Sequence, residues 1–402
     1  MDLIQQLVIL LFISTIIYTI DVKQYYFPVP VVLVLIGMGL SFLPLFTGFS
    51  TSKDILYEVF IPGLLFVSAY QYSAKAFKKN AGLIITLSTL GMVATVFLLG
   101  IAIYYTTALF QPFSWSISLL LAAILAPTDP ISVVSILKNS TGSRDIPDVL
   151  EGESMLNDGT SVVMFTVFLS MVESGSKFSA LNFIQNFAFV AFGGVLVGLV
   201  FGWILSQAVH ITAHREYQVM LSVLIAYGSF MLAEYFGFSG VLATVVSGMI
   251  LSNTFSKKDK EAPFRDALGG FWNVINPILS SILFLFIGIQ AMAYIDFTYW
   301  QLAFIVFVLS IIARFLVLVL TLFSVPKWRA KFEHIRSGIV MLSWAGIKGS
   351  MSVVLILWTI DSSVGDNATL VSLAFASILI SFTIQSIGIY PLTQIMHHSK
   401  KS

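Results

Sequence analysis

The chain is predicted to be an all-α polytopic membrane protein with about 13 transmembrane helices, and three observations predict it. Of 402 residues, 57% are hydrophobic and 10% are charged, against roughly 25% charged in an ordinary soluble domain. Mean hydropathy is +0.94, and the apolar residues come in long runs rather than amphipathic stripes. Each run is near the ~20 residues that a helix needs to cross ~30 Å of hydrocarbon. A soluble fold of this length could not cover its surface with so few charges. The net charge of +1 implies no nucleic-acid or acidic partner. Cysteine is absent, which excludes disulfides and thiolate metal sites.

The segments run at approximately 3–20, 28–46, 55–72, 82–105, 115–137, 149–172, 185–209, 216–235, 238–252, 271–291, 299–323, 336–358 and 369–396. The first resembles a signal peptide in length. It carries Asp2 in place of a basic n-region and lacks a small-residue cleavage site, so it is read as a span. The third (FIPGLLFVSAYQY) and tenth (ILSSILFLFIGIQ) share an aromatic-aliphatic core with a polar end. They lie seven spans apart and so run in opposite directions, as inverted-topology repeats do. The ninth is short and contains Gly. The longest loop is expected at Asn253 to Gly270, and no soluble domain or nucleotide-binding motif is found.

Basic residues test this layout, because cytoplasmic loops collect Lys and Arg. One set of connections holds Lys23, Lys75, Lys78, Lys79, Lys138, Arg144 and Arg215, then Lys257, Lys258, Lys260 and Arg265. It continues with Lys327, Arg329, Lys331, Arg336, Lys400 and Lys401, whereas the other set holds only Lys53 and Lys177. The amino terminus is therefore expected outside and the carboxyl terminus in the cytoplasm. Arg314 and Lys348 are left inside spans, where a charge costs ~2.5–3.5 kcal/mol even on the mild insertion scale. They need partners.

Carboxylates at membrane depth crowd into one stretch: Asp129 in the fifth span, then Glu151, Glu153 and Asp158 in the sixth. Glu58 and Glu234 lie near span ends, within reach of water. The fifth span contains Ala126-Pro127-Thr128-Asp129-Pro130. Two prolines should break the helix there and leave carbonyl groups without intrahelical donors. Irregular backbone at this depth is tolerated only where protein or a water-filled cavity covers it. A simple kink would need neither the Thr128 hydroxyl nor the Asp129 carboxylate.

The sixth span reads Glu151-Gly152-Glu153-Ser154-Met155-Leu156-Asn157-Asp158. At about 100° per residue, Glu151 and Asp158 share a face, with Asp158 about two turns deeper. A carboxylate at that depth can be neutralised by a proton or by a bound cation. Mutual exclusion of the two at one site is the minimal machinery of exchange. In the twelfth span, Gly346-Ile347-Lys348-Gly349-Ser350 suggests a second interruption opposite the first. Paired interruptions in corresponding halves point to a transporter's binding site.

These residues resemble the monovalent cation:proton antiporters, specifically the sodium/proton exchanger branch of the NhaP/NHE type. The resemblance rests on Thr128-Asp129-Pro130, the Glu151–Asp158 stretch, Ala313-Arg314-Phe315 and Gly346-Ile347-Lys348-Gly349. It implies an inverted-repeat fold with two broken, crossing helices. It implies that Asp158 binds the ion and the proton, with Asn157, Asp129 and Thr128 completing or supporting the site and Ser154 and Lys348 accessory. Glu153 and Arg314 would form a structural ion pair. A homodimer is also implied, with a core bundle (82–172 and 299–396) moving against a scaffold (1–72 and 216–291) through a linking helix (185–209). Related electrogenic antiporters carry Asp-Asp where this chain has Asn157-Asp158, which implies one cation for one proton.

Two positions depart from the family pattern. Lys348 stands where many relatives have Arg, and Val67 where many have an acid. The long regulatory tail of animal members is not found, which points to a prokaryotic plasma-membrane protein. The histidines, His210, His214, His334, His397 and His398, fall in loops or the tail, as pH sensors or as plain solvated residues. The expected function is exchange of Na⁺ for H⁺, with K⁺ or Li⁺ as alternative cations. No enzyme activity and no cofactor beyond the transported ions is expected. A cation channel and a cation sensor are the competing classes.

Overall fold

A computed structural model of the chain describes residues 3–20, 29–46, 54–130, 133–134, 137–138, 145–176, 178–209, 214–255, 262–332, 335–362, 364 and 368–399. Among them every regular element is helical. The first five helices are α1 (Leu3–Ile20), α2 (Val29–Leu40), α3 (Ile55–Gln71), α4 (Ala74–Thr107) and α5 (Trp115–Leu125). Next come α6 (Asp145–Ser174), α7 (Ala180–Val209), α8 (Arg215–Tyr235), α9 (Gly240–Phe255) and α10 (Ala262–Tyr294). The chain continues through α11 (Trp300–Ser324), α12 (Ile335–Trp344), α13 (Ser350–Asp361) and α14 (Ala368–Ser399). Helices α4, α6, α7, α8, α10, α11 and α14 are long and apolar enough to cross a membrane, and the shorter apolar ones include α5 and α13.

Several helices overrun the apolar segments that announce them. Helix α4 starts at Ala74, so Lys75, Lys78 and Lys79 ride on its first turns rather than in a loop. Ser73 caps it by accepting from the Ala76 amide at 3.3 Å. Helix α6 starts at Asp145, and α10 at Ala262, within the stretch expected as the longest loop. Hydropathy measures the length of hydrocarbon crossed, whereas backbone hydrogen bonds carry a helix on into the polar layer.

Helix α9 packs on α7, α3 and α8, and α2 on α10. Gly194, Gly198 and Gly202 of α7 bring its backbone onto Ser239, Ala243 and Ser247 of the α9 segment, closer than any Cβ would allow. Small residues at such spacing are how helices associate where lipid offers no hydrophobic drive. The opposite side of α7 exposes Phe192, Leu196, Leu199 and Trp203.

A second group is built from α4 on α5 and α11, α5 on α6, and α14 on α11. Within α4, residues 87–91 form a π-helical turn. The Ser88 carbonyl accepts from the Thr160 hydroxyl of α6 at 2.6 Å, fastening α4 to the helix that carries the acids.

Candidate functional site

Two spans are interrupted at the same place. After α5 the backbone leaves the helix at Ala126 and runs irregularly through Pro130, where Pro127 and Pro130 cannot donate to preceding turns. Residues 345–349 likewise separate α12 from α13. The interruptions cross, and the Asp129 amide donates to the Ile347 carbonyl at 2.7 Å. Gly349 permits the approach, because a Cβ there would collide with the Asp129 side chain. The Ser350 hydroxyl lies 3.4 Å from Asp129 Oδ2. Asp129 thus sits against the N-terminus of α13, where unpaired amides and the helix dipole favour an anion.

The other edges of the break are served by α14 and α11. The Lys348 amide donates to Ser381 Oγ at 3.0 Å, and Ser381 is bonded in turn to Gln385 Oε1. Gln385 Nε2 then donates to the Trp344 carbonyl at 2.7 Å. One relay on α14 therefore satisfies groups on both sides of the interruption. Arg314 Nε donates to the Leu342 carbonyl in the last turn of α12 at 3.1 Å, placing a cation at a helix C-terminus.

The same guanidinium grips Glu153 with two hydrogen bonds, 2.9 Å to Oε1 and 2.7 Å to Oε2. Both side chains are buried, at 8% and 5% exposure. All the guanidinium nitrogens are engaged, which offsets the heavy desolvation of such a pair. Gly346 is required beside it, since a Cβ would strike the guanidinium.

Helix α6 presents its polar residues to this crossing. Ser154 Oγ donates to the Thr128 carbonyl at 2.5 Å, and Asn157 Nδ2 to Thr128 Oγ1 at 2.9 Å. Asn157 Oδ1 is buried without a hydrogen-bond partner among the described residues. A cavity of about 280 Å³ reaches the crossing, and Asp158, Asp129, Ser154 and Ser350 line its inner part. Leu64, Leu65, Ser68 and Gln71 of α3 and Asn276 of α10 form the facing wall. Glu151 and Lys138 line it too, at the end of α6 that precedes Asp158.

Seven residues past Asp158 on α6, Phe165 enters a set of packed aromatic rings. Tyr57 packs on Phe230 at 5.1 Å and on Trp358 at 5.2 Å, and Trp358 on Phe165 at 5.6 Å. The Tyr57 hydroxyl donates to Glu234 Oε1 at 2.9 Å, and the Gly240 amide to the same oxygen at 2.8 Å. The cavity thus reaches Asp158 from the Glu151 side, with this aromatic seal on the Phe165 side.

The predicted site residues fall into three sets. Asp158, Asp129 and Ser154 face the cavity, whereas Thr128 and Asn157 are bonded to each other behind it. Glu153 and Arg314 form a separate buried pair, and Lys348, 3% exposed, lies within its electrostatic reach rather than on the cavity wall. Val67 belongs to an apolar cluster with Phe66, Ile225 and Trp272. Of the histidines, His214 is exposed against Tyr217, His210 and His334 lie outside the described residues, and so do the side chains of His397 and His398. Ser381, Gln385 and the aromatic seal were not singled out by sequence, and Ser350 appeared there only as part of the second interruption. The trace of the relay in the sequence is a Ser and a Gln four apart, in a span that also holds Ser372, Ser377, Thr383 and Ser386.

The profile of the family described as sodium/hydrogen exchanger, transmembrane, matches residues 8–395. The Na⁺/H⁺ antiporter NhaG of Bacillus atrophaeus is 29% identical over 388 residues, covering 93% of this chain and 71% of that protein. The Na⁺/H⁺ antiporter NhaP of Pseudomonas aeruginosa is 29% identical over 355 residues, covering 85% of this chain and 81% of that protein. In fold, the sodium proton antiporter MjNhaP1 of Methanocaldococcus jannaschii superposes with a TM-score of 0.77 at 18% identity, over 97% of both chains.

Proposed function

The chain belongs to the sodium/hydrogen exchanger family, and from that premise we propose that it exchanges Na⁺ for H⁺ across the bilayer, both competing for Asp158. The observation that carries this is the placement of Asp158 at the closed end of a water-accessible cavity, beside the crossing of two interrupted spans. A carboxylate there holds either a proton or a monovalent cation. Asp129, Ser154 and Ser350 supply further oxygens within the same cavity. Hard oxygen donors suit Na⁺, and Na⁺ is the cation in the names of the relatives NhaG and NhaP.

The aromatic seal favours an exchanger over a channel, because a pore needs a continuous wet path. Asn157 in place of a second carboxylate supports electroneutral exchange, one cation for one proton. Glu153 and Arg314 act as the structural pair that holds α6, α11 and α12 together. In this account the core (82–172 and 299–396) carries the crossing, and the scaffold (1–72 and 216–291) supplies the facing cavity wall and Tyr57. Residues 185–209 link them. The carrier works as a homodimer in a prokaryotic plasma membrane. The distribution of basic residues supports a cytoplasmic Glu151 side and an amino terminus outside.

Reconstitution tests the proposal. In proteoliposomes, an imposed Na⁺ gradient is expected to drive opposed proton movement, unaffected by a clamped voltage. Asp158→Asn is expected to abolish it. A fully active Asp158→Asn variant would remove this carboxylate from the mechanism.

A further inference from the structure

The mouth of the cavity carries a cation of its own. Lys138 Nζ lies 2.8 Å from Glu151 Oε2, and both residues line the cavity that ends at Asp158 and Asp129. Their side chains are 45% and 27% exposed, so water reaches the pair. Glu151 precedes Asp158 by seven residues on one face of α6, about 10 Å nearer the open end. Among the described residues, Asp148 is within electrostatic range of both Lys138 and Glu151, and Asp145 is paired with Lys79.

A fixed ammonium group in the path of a cation is unfavourable unless a carboxylate neutralises it. A carboxylate with no partner at the same point would concentrate cations instead. At about 10 Å, one unit charge changes the occupancy of a cation site by roughly three- to tenfold in a partly aqueous medium. An exposed pair contributes little to stability, so folding alone is a weak reason for it.

We propose that the Lys138–Glu151 pair is an exchangeable latch at the cavity mouth that sets the apparent affinity for Na⁺. An incoming ion takes the place of the Lys138 ammonium on Glu151 and then passes inward to Asp158. Lys138 and Glu151 are affinity-determining residues, not the transport site. This rests on the exchanger function proposed above.

The test uses the full chain in proteoliposomes, with the Na⁺ dependence of exchange measured at one pH and constant ionic strength. Lys138→Gln exposes Glu151 and is expected to lower the KM for Na⁺ about three- to tenfold. Glu151→Gln removes the carboxylate paired with the ammonium and is expected to raise it by a similar factor. The double variant restores a neutral mouth and is expected to return to within about twofold of the starting protein. A structural fault would lower the maximal rate of each variant and cannot move two affinities in opposite directions. Single variants that shift KM the same way, or not at all, would overturn the latch. The same four proteins are also compared by Na⁺-dependent thermal stability. If the starting protein moves no protons under a Na⁺ gradient, the exchanger function fails. The sign of the Na⁺-induced thermal shifts still decides the latch.

Discussion

Asp129 and Ile347 are joined by a backbone hydrogen bond of 2.7 Å, although 218 positions of chain separate 129 from 347. The two interrupted spans are therefore tied at their breaks by main chain rather than by replaceable side chains. A carboxylate on one strand of this crossing is held in place by the other.

Gly349 is the point at which that crossing is most easily broken. A Cβ there would meet Asp129, so Gly349→Val is expected to displace Asp129 and reduce exchange by about ten- to a hundredfold. Gly39→Ala is the control, since nothing lies within 4 Å of its position. Exchange rates in proteoliposomes check both, and equal activity of the two variants would contradict the close approach.

Arg314→Ala is expected to cost about 3–5 kcal/mol, because it leaves Glu153 buried and unpaired. It also strips the Leu342 carbonyl of its donor. Arg314→Lys should recover only part of the loss, since an ammonium cannot reproduce the two-pronged contact. Thermal unfolding of the purified protein measures this. A variant as stable as the starting protein would count against the pair.

Gln385→Leu is expected to destabilise by about 1–3 kcal/mol, the cost of a buried polar group left unsatisfied. It removes the donor to the Trp344 carbonyl and the acceptor for Ser381, which receives the Lys348 amide. The expected result is a lower unfolding temperature, with a similar loss for Ser381→Ala. Unchanged stability would show that the break needs no support from α14.

The chain contains no cysteine, so a single introduced thiol reports access without background. Ser350→Cys is expected to react with a membrane-impermeant maleimide added on the Glu151 side and not on the Trp358 side. Trp358→Ala should raise labelling from the sealed side, because it removes the ring between Tyr57 and Phe165. Equal labelling from both faces of the unmodified background would contradict a one-sided cavity.

Much of this arrangement is legible in the sequence for physical reasons. Two prolines around Thr128-Asp129 cannot sit in a regular helix, and Gly346 and Gly349 flank a buried lysine, so both interruptions announce themselves. Acids in spans are rare enough that Asp129, Glu151, Glu153 and Asp158 stand out. The relay through Ser381 and Gln385 is not legible in that way. A Gln in a membrane helix is ordinary interhelical glue, and only the fold shows which carbonyl it faces. The seal is hidden for the opposite reason. With 35 Phe residues in the chain, nothing distinguishes Phe165 and Phe230 before packing brings them to Tyr57 and Trp358. Helix ends are misjudged wherever a helix outlasts the apolar stretch, as at Lys75–Lys79 and Asp145.

The most direct test of competition at Asp158 is the KM for Na⁺ measured as a function of pH in proteoliposomes. Below the protonation midpoint, KM is predicted to rise about tenfold per pH unit while the maximal rate at saturating Na⁺ stays constant. A maximal rate that falls with pH at constant KM would mean that proton and cation do not exclude each other at one carboxylate, and would contradict the account.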